Sequence, residues 1–289
     1  MFTEESSQQI TPLAEQHGES PAPAPTETIL PIPPKIEWWQ SWLEVLLAFV
    51  LWVVSVLLLV FVPFFVVLPY LVYTWTKFGP PTPQALTTDK TLLLLSVVAI
   101  IPTHLLTFLA IWLFVTRRSR EPFWRAVKFE WPENLGPVIG GLVTLLVAIV
   151  LLVLAWLITY LWGGNKTDLD LLIESSLPAR FATAFVAVAT APLVEELIYR
   201  GVLYPAIEKA AGMGIAIMIV SLLFAGVHVI QYKNNISVIA AITLLSFTLT
   251  TTRALTGKLL PSFVIHLVFN GIQAVVLVAG PFLDKSATG

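Results

Sequence analysis

The chain has 289 residues, of which 57% are hydrophobic and 12% charged, and its mean hydropathy is +0.85. Such values exclude an ordinary soluble enzyme and imply an all-α, polytopic helical membrane protein. The absence of cysteine excludes disulfides, thiolate nucleophiles and cysteine-ligated metal; the net charge of −2 says nothing of partners, but the lack of a basic, aromatic-interleaved tract speaks against nucleic acid.

Residues 1–36 are rich in Pro, Ser, Gln and Glu, and Pro21, Pro23, Pro25, Pro31, Pro33 and Pro34 oppose regular structure. This stretch is expected to be a disordered N-terminal tail. It has neither the basic start nor the early apolar stretch of a signal peptide. Residues 37–289 read as one membrane domain. Trp38, Trp39 and Trp42 suit an aromatic belt where the chain enters the bilayer, the first expected partner.

Apolar segments follow at about 42–74, 91–116, 136–162, 181–203, 213–230, 236–252 and 262–281. Each is near the roughly 20 residues that a helix needs to cross a bilayer. They predict seven transmembrane helices, with eight as the alternative count. In the first, Pro63 and Pro69 predict a kink or a short surface helix. The densest cationic loop, Arg117 to Arg125 with Lys128 behind it, lies between the second and third spans. The positive-inside rule places that loop, and with it the N-terminus, in the cytoplasm.

Within these apolar segments a few polar groups stand out. Glu195 and Glu196 are adjacent in the fourth, with Arg200 four residues on. Tandem carboxylates near lipid are costly, which makes them a functional candidate. Residues four apart share a helix face, so Glu196 pairs with Arg200 and Glu195, turned about 100° away, is left to exchange protons. Pro192, just before the pair, predicts a break in the helix and more room around it.

Gly212 to Gly214 predicts a turn between two antiparallel helices. Glu195 precedes Gly212 by 17 residues and His228 follows it by 16, so a uniform rise sets the two at one height. His266 and Asn270 share a face of the last span. Two imidazoles, a free carboxylate and an amide meet the needs of water activation and oxyanion stabilisation. Glu195, His228 and His266 could instead hold a divalent metal such as Zn with an open water position, and the residues leave both versions open. His104, in the second span, has no polar neighbour at helical spacing and reads as structural.

Glu195, Glu196 and Arg200 form the pattern EExxxR, Phe224 with His228 forms FxxxH, and His266 with Asn270 forms HxxxN/D, in order and on separate apolar segments. This set resembles the CPBP family of intramembrane proteases, also called the Abi or type II CAAX prenyl endopeptidase family, over about residues 180–281. The resemblance implies a membrane endopeptidase in which Glu195 and His228 activate water, His266 and Asn270 form the oxyanion side, and Glu196 and Arg200 support the site. Metal-dependent and glutamate-dependent mechanisms are both associated with the family. The substrate it implies is a peptide or membrane protein, cut in CAAX-type or peptide-maturation processing.

Two further classes compete with the peptidase. A non-catalytic membrane adaptor or bacteriocin-immunity-type protein would keep these residues for folding or peptide binding. A transporter would need polar residues along a path through both leaflets, which the segments 42–74 and 136–162 nearly lack. An aspartyl dyad and a His-Glu-x-x-His zinc helix are both missing: Asp89, Asp168, Asp170 and Asp284 lie outside the apolar segments or at their edges.

Overall fold

The computed structural model describes residues 38–164, 166–232 and 235–287; the segment 1–36, expected to be a tail, lies outside them. Among the described residues all regular structure is helical. Seven helices are long and apolar enough to cross a membrane: Trp39–Phe78, Lys90–Arg118, Gly136–Trp162, Leu177–Ala211, Met213–Tyr232, Ile236–Thr256 and Leu260–Gly280. The molecule is a polytopic all-α membrane protein, as its hydropathy predicts.

The first span is helix α1 (Trp38–Phe78), whose 41 residues continue through Pro63 and Pro69 with no separate surface helix. At about 1.5 Å per residue it reaches roughly 60 Å, twice a hydrocarbon core of about 30 Å. After the short α2 (Pro83–Thr88), the second span is built from α3 (Lys90–Val98) and α4 (Ile100–Arg118), joined at Ala99. Asp89 caps α3, its Oδ1 accepting from the N–H groups of Thr91 and Leu92 at 2.8 and 2.9 Å.

The cationic loop contains α5 (Phe123–Ala126) and is tied to the far end of the chain. Leu259 N–H donates to the Lys128 carbonyl at 2.8 Å, and Lys258 pairs with Glu130 at 2.5 Å. The Lys258 ammonium holds the Glu130 carboxyl below its usual range.

The third span is α6 (Gly136–Trp162), followed by the amphipathic α7 (Asp168–Ser175), which a Thr167–Asp170 capping box starts. The fourth span is segmented: α8 (Leu177–Phe185), a π-helical stretch Val186–Thr190, α9 (Ala191–Glu196), a second π stretch Leu197–Leu203, and α10 (Tyr204–Ala211). Gly212, at φ +87°, makes the expected turn into α11 (Met213–Tyr232). The last two spans are α12 (Ile236–Thr256) and α13 (Leu260–Ala287).

Two clusters of buried apolar residues hold the spans together. The larger joins α1, α4, the fourth span and α11 through Ile111, Leu197, Leu203, Tyr204, Val220 and Phe224. The smaller joins α6, α12 and α13 through Ala148, Leu151, Leu245, Leu249, Ile265 and Phe269. At the end of the fourth span, Lys209 reaches back to Glu44 of α1 at 2.8 Å. The fourth span, held between these clusters, carries the tandem carboxylates.

Candidate functional site

The fourth span owes its shape to two prolines. In each π stretch the N–H groups reach back five residues: Ala191 donates to Val186, and Tyr204 to Tyr199. The next residue in each case is a proline, Pro192 or Pro205, which has no N–H for the carbonyl five positions earlier. Those two carbonyls, of Ala187 and Arg200, would be orphans in an apolar environment. Side chains from other spans take both: Asn270 Nδ2 donates to Ala187 O at 3.0 Å, and Arg253 Nε to Arg200 O at 3.1 Å. Pro192 therefore widens the helix into a π turn rather than ending it. One of the freed carbonyls anchors a predicted site residue, Asn270.

Glu196 and Arg200 are fully buried and paired at 3.0 Å. Arg200 is further fixed to α12, with Nε donating to Thr250 Oγ1 at 3.2 Å and Nη2 to the Ser246 carbonyl and hydroxyl at 3.1 and 2.8 Å. Its guanidinium also lies 4.7 Å from the Phe224 ring centroid. These contacts hold the guanidinium plane from three sides. The other Glu196 oxygen, Oε2, is buried without a hydrogen-bond partner, although Ser262 lies close and bonds the Leu259 carbonyl at 2.9 Å.

His266, only 2% exposed, bridges the tandem carboxylates. Its Nδ1 is 3.1 Å from Glu196 Oε1, and its Nε2 is 3.6 Å from Glu195 Oε2. An ionised, arginine-paired carboxylate only accepts, so Nδ1–H donates to Glu196 and Nε2 is the nitrogen that faces Glu195. The Glu195 side chain is 24% exposed, against none for Glu196. Of the two carboxylates, Glu195 is the one with exposed surface.

His228 belongs to the same neighbourhood without touching either carboxylate. Its Nδ1 donates to the Phe224 carbonyl at 2.8 Å, which leaves Nε2 as its free nitrogen. Phe224 stands between the imidazoles, its ring 4.8 Å from His228 and 6.0 Å from His266. Tyr199 packs edge-on to Phe224 at 5.1 Å, and its hydroxyl accepts from Trp52 Nε1 at 3.0 Å.

Glu195, Glu196, Arg200 and His266 are thus in direct contact, while His228 and Asn270 join through Phe224 and the Ala187 carbonyl. Among the described residues no three His, Asp or Glu side chains gather as a metal site.

Ser246, Thr250 and Arg253 are supporting residues that the motifs leave out. Ser246 and Thr250 are spaced i, i+4 in an apolar helix, a signal for interhelical hydrogen bonding that was present in the sequence. His104, read as structural, bonds Thr190 Oγ1 through Nδ1 at 2.8 Å.

With this geometry in place, comparison with known families is direct. Residues 177–272 match the family described as type II CAAX prenyl endopeptidase Rce1-like. That segment is similar to the family. It contains all seven motif residues and both π stretches, and it bears out the resemblance read from the three motifs. No curated protein and no solved structure matches the chain.

Proposed function

We propose that the protein is an intramembrane endopeptidase in which Glu195 activates water for attack on a peptide bond of a membrane-delivered, CAAX-type substrate. The observation that carries this reading is the division of labour between the carboxylates. Arg200 neutralises buried Glu196, while Glu195 is partly exposed and 3.6 Å from an imidazole anchored on that ion pair.

Glu195 takes a proton from water, and the resulting hydroxide adds to the scissile carbonyl carbon. The carbonyl oxygen becomes an oxyanion. The second N–H of the Asn270 amide stabilises it, joined by His266 once its Nε2 carries a proton in addition to the one on Nδ1. His228 Nε2 holds the attacking water on the other side. As the C–N bond breaks, Glu195 returns its proton to the leaving nitrogen, giving a carboxylic acid and an amine, between which the remaining proton passes to leave a carboxylate and an ammonium. Glu196 and Arg200 fix His266 without exchanging protons. Asn270 is held by the Ala187 carbonyl, which supports its placement beside the reacting centre.

The test is cleavage of a panel of quenched peptides, prenylated and unprenylated, by protein in nanodiscs, with and without a chelator. Glu195→Gln and His228→Ala are expected to lower kcat by about 100- to 10,000-fold, the range for losing general acid–base catalysis. Folded wild-type protein that cleaves nothing in the panel would favour the adaptor or immunity reading.

A further inference from the structure

At the end of the bundle that carries the cationic loop, α1, α4 and α10 surround a cavity of about 600 Å³. That volume lies within the roughly 300–1,000 Å³ of small-molecule sites. Each of the three helices contributes two residues four apart, hence on one face: Glu44 and Ala48 from α1, Phe114 and Arg118 from α4, Pro205 and Lys209 from α10. Because α1 starts at this end while α4 and α10 finish at it, the charged member of every pair is the outer one. The wall therefore has two levels, a charged rim and, about 6 Å deeper, an apolar ring.

The rim lies at the level of the membrane interface. Half-exposed Trp39 and Trp42 open α1 just before Glu44, and Arg118 is the last residue of the second span. Of the three rim charges, Glu44 pairs with Lys209 at 2.8 Å, which uses one of three ammonium protons. The Arg118 guanidinium lies 5.1 Å from the Phe114 ring centroid, and among the described residues no carboxylate pairs with it. The rim is left with an excess of positive charge. The adjoining loop adds to it, with five cations against one carboxylate, Glu121, between Arg117 and Lys128.

A small free anion would meet the rim and leave the apolar ring wet, whereas a neutral hydrocarbon would fill the ring and leave the rim charges without a counter-ion. An anionic amphiphile at the membrane interface meets both levels. We propose that this cavity is a binding site for an anionic phospholipid: its phosphate takes the Arg118 guanidinium and the Lys209 ammonium, and the start of an acyl chain fills the level of Ala48, Phe114 and Pro205. The lipid site does not depend on the peptidase reading, and its assay reads bound lipid rather than cleavage.

Full-length protein in detergent is incubated with an equimolar mixture of phosphatidylglycerol and phosphatidylcholine of the same chain length, and native mass spectrometry counts the lipid retained. The expected result is a single retained phosphatidylglycerol, preferred over phosphatidylcholine. Arg118→Ala and Lys209→Gln should each lower that preference about fivefold, the worth of one cation close to an anionic lipid. Glu44→Gln, which frees Lys209 and removes a repelling carboxylate, should raise it. Lys166→Gln, whose exposed ammonium pairs with Glu174 at 2.7 Å, should leave it unchanged. Tryptophan fluorescence checks that each variant is folded.

Equal retention of the two lipids would overturn the site, as would an unchanged preference in folded Arg118→Ala or an equal loss in Lys166→Gln. Two competitors test the other occupants, and neither is expected to release the lipid. Release by inorganic phosphate would make the cavity a free-anion site, release by a farnesylated CAAX peptide would make it a substrate site, and either result overturns the phospholipid assignment.

Discussion

Glu195 and Glu196 differ by one position and about 100° of helix rotation, and that rotation decides which of them Arg200 can meet. The pairing was legible because it is local, an i, i+4 relation on one helix. What fixes Arg200 from the other side was harder to read, because Ser246 and Thr250 act across spans. Removing one partner of a buried pair strands the other's charge, so Glu196→Ala and Arg200→Ala should each cost about 3–5 kcal/mol. SDS-titration unfolding followed by tryptophan fluorescence measures this, and the double variant should cost clearly less than the sum of the two. Glu195→Gln, at a partly open position, should unfold close to wild type, and a large loss of stability there would make Glu195 structural. His104 shows the limit of spacing arguments: it has no polar neighbour on its own helix because Thr190 reaches it from another.

At the scale of elements, the fourth span shows where sequence counting stops. Uniform rise set Glu195 and His228 level, yet the path from Glu195 to Gly212 runs through a π stretch, Leu197–Leu203, whose turns take more residues than an α-helix. The ring contacts of Phe224, rather than a direct bond, link His228 to the carboxylates. Pro205 and Arg253 give a direct check of the carbonyl exchange. Arg253→Ala should cost about 1–3 kcal/mol by orphaning the Arg200 carbonyl. In a Pro205→Ala background the restored N–H can serve that carbonyl, so the same substitution should cost less; an equal cost in both backgrounds would contradict the exchange.

The cap of α3 predicts a pH effect. Burial opposes ionisation of Asp89, but the Leu92 N–H, the Tyr70 hydroxyl at 2.9 Å and the Thr91 N–H outweigh it and hold the carboxyl below its usual range. A carboxyl depressed in the folded state stabilises it above the ordinary carboxylate range, near pH 4, and that contribution is lost as pH falls through the lower folded value. Asp89→Ala should therefore cost about 0.5–2 kcal/mol at neutral pH and less in acid. Unfolding titrations at the two pH values measure the difference.

For the whole molecule, hydropathy alone revealed the seven spans, because bilayer thickness fixes the length of an apolar helix. The ends were less legible: the fourth span runs Leu177–Ala211 rather than 181–203, since its last helix is amphipathic and packs on α1 and α11. For orientation we propose that the cationic loop faces the cytoplasm, on the positive-inside rule. The chain has no cysteine, so Ser119→Cys provides a single label site. It should react with an impermeant maleimide only in inside-out vesicles, and labelling in intact cells would reverse the topology.

On the proposed reading, one open carboxylate, held beside an anchored imidazole among the seven spans, delivers water to a peptide bond. The most direct test is mass spectrometry of a farnesylated CAAX peptide incubated with the protein in H₂¹⁸O, comparing wild type with Glu195→Gln. The account predicts a single cleavage by the wild type, with one ¹⁸O in the new carboxylate, and a loss of that product in folded Glu195→Gln. Product formed at the wild-type rate by Glu195→Gln would contradict it.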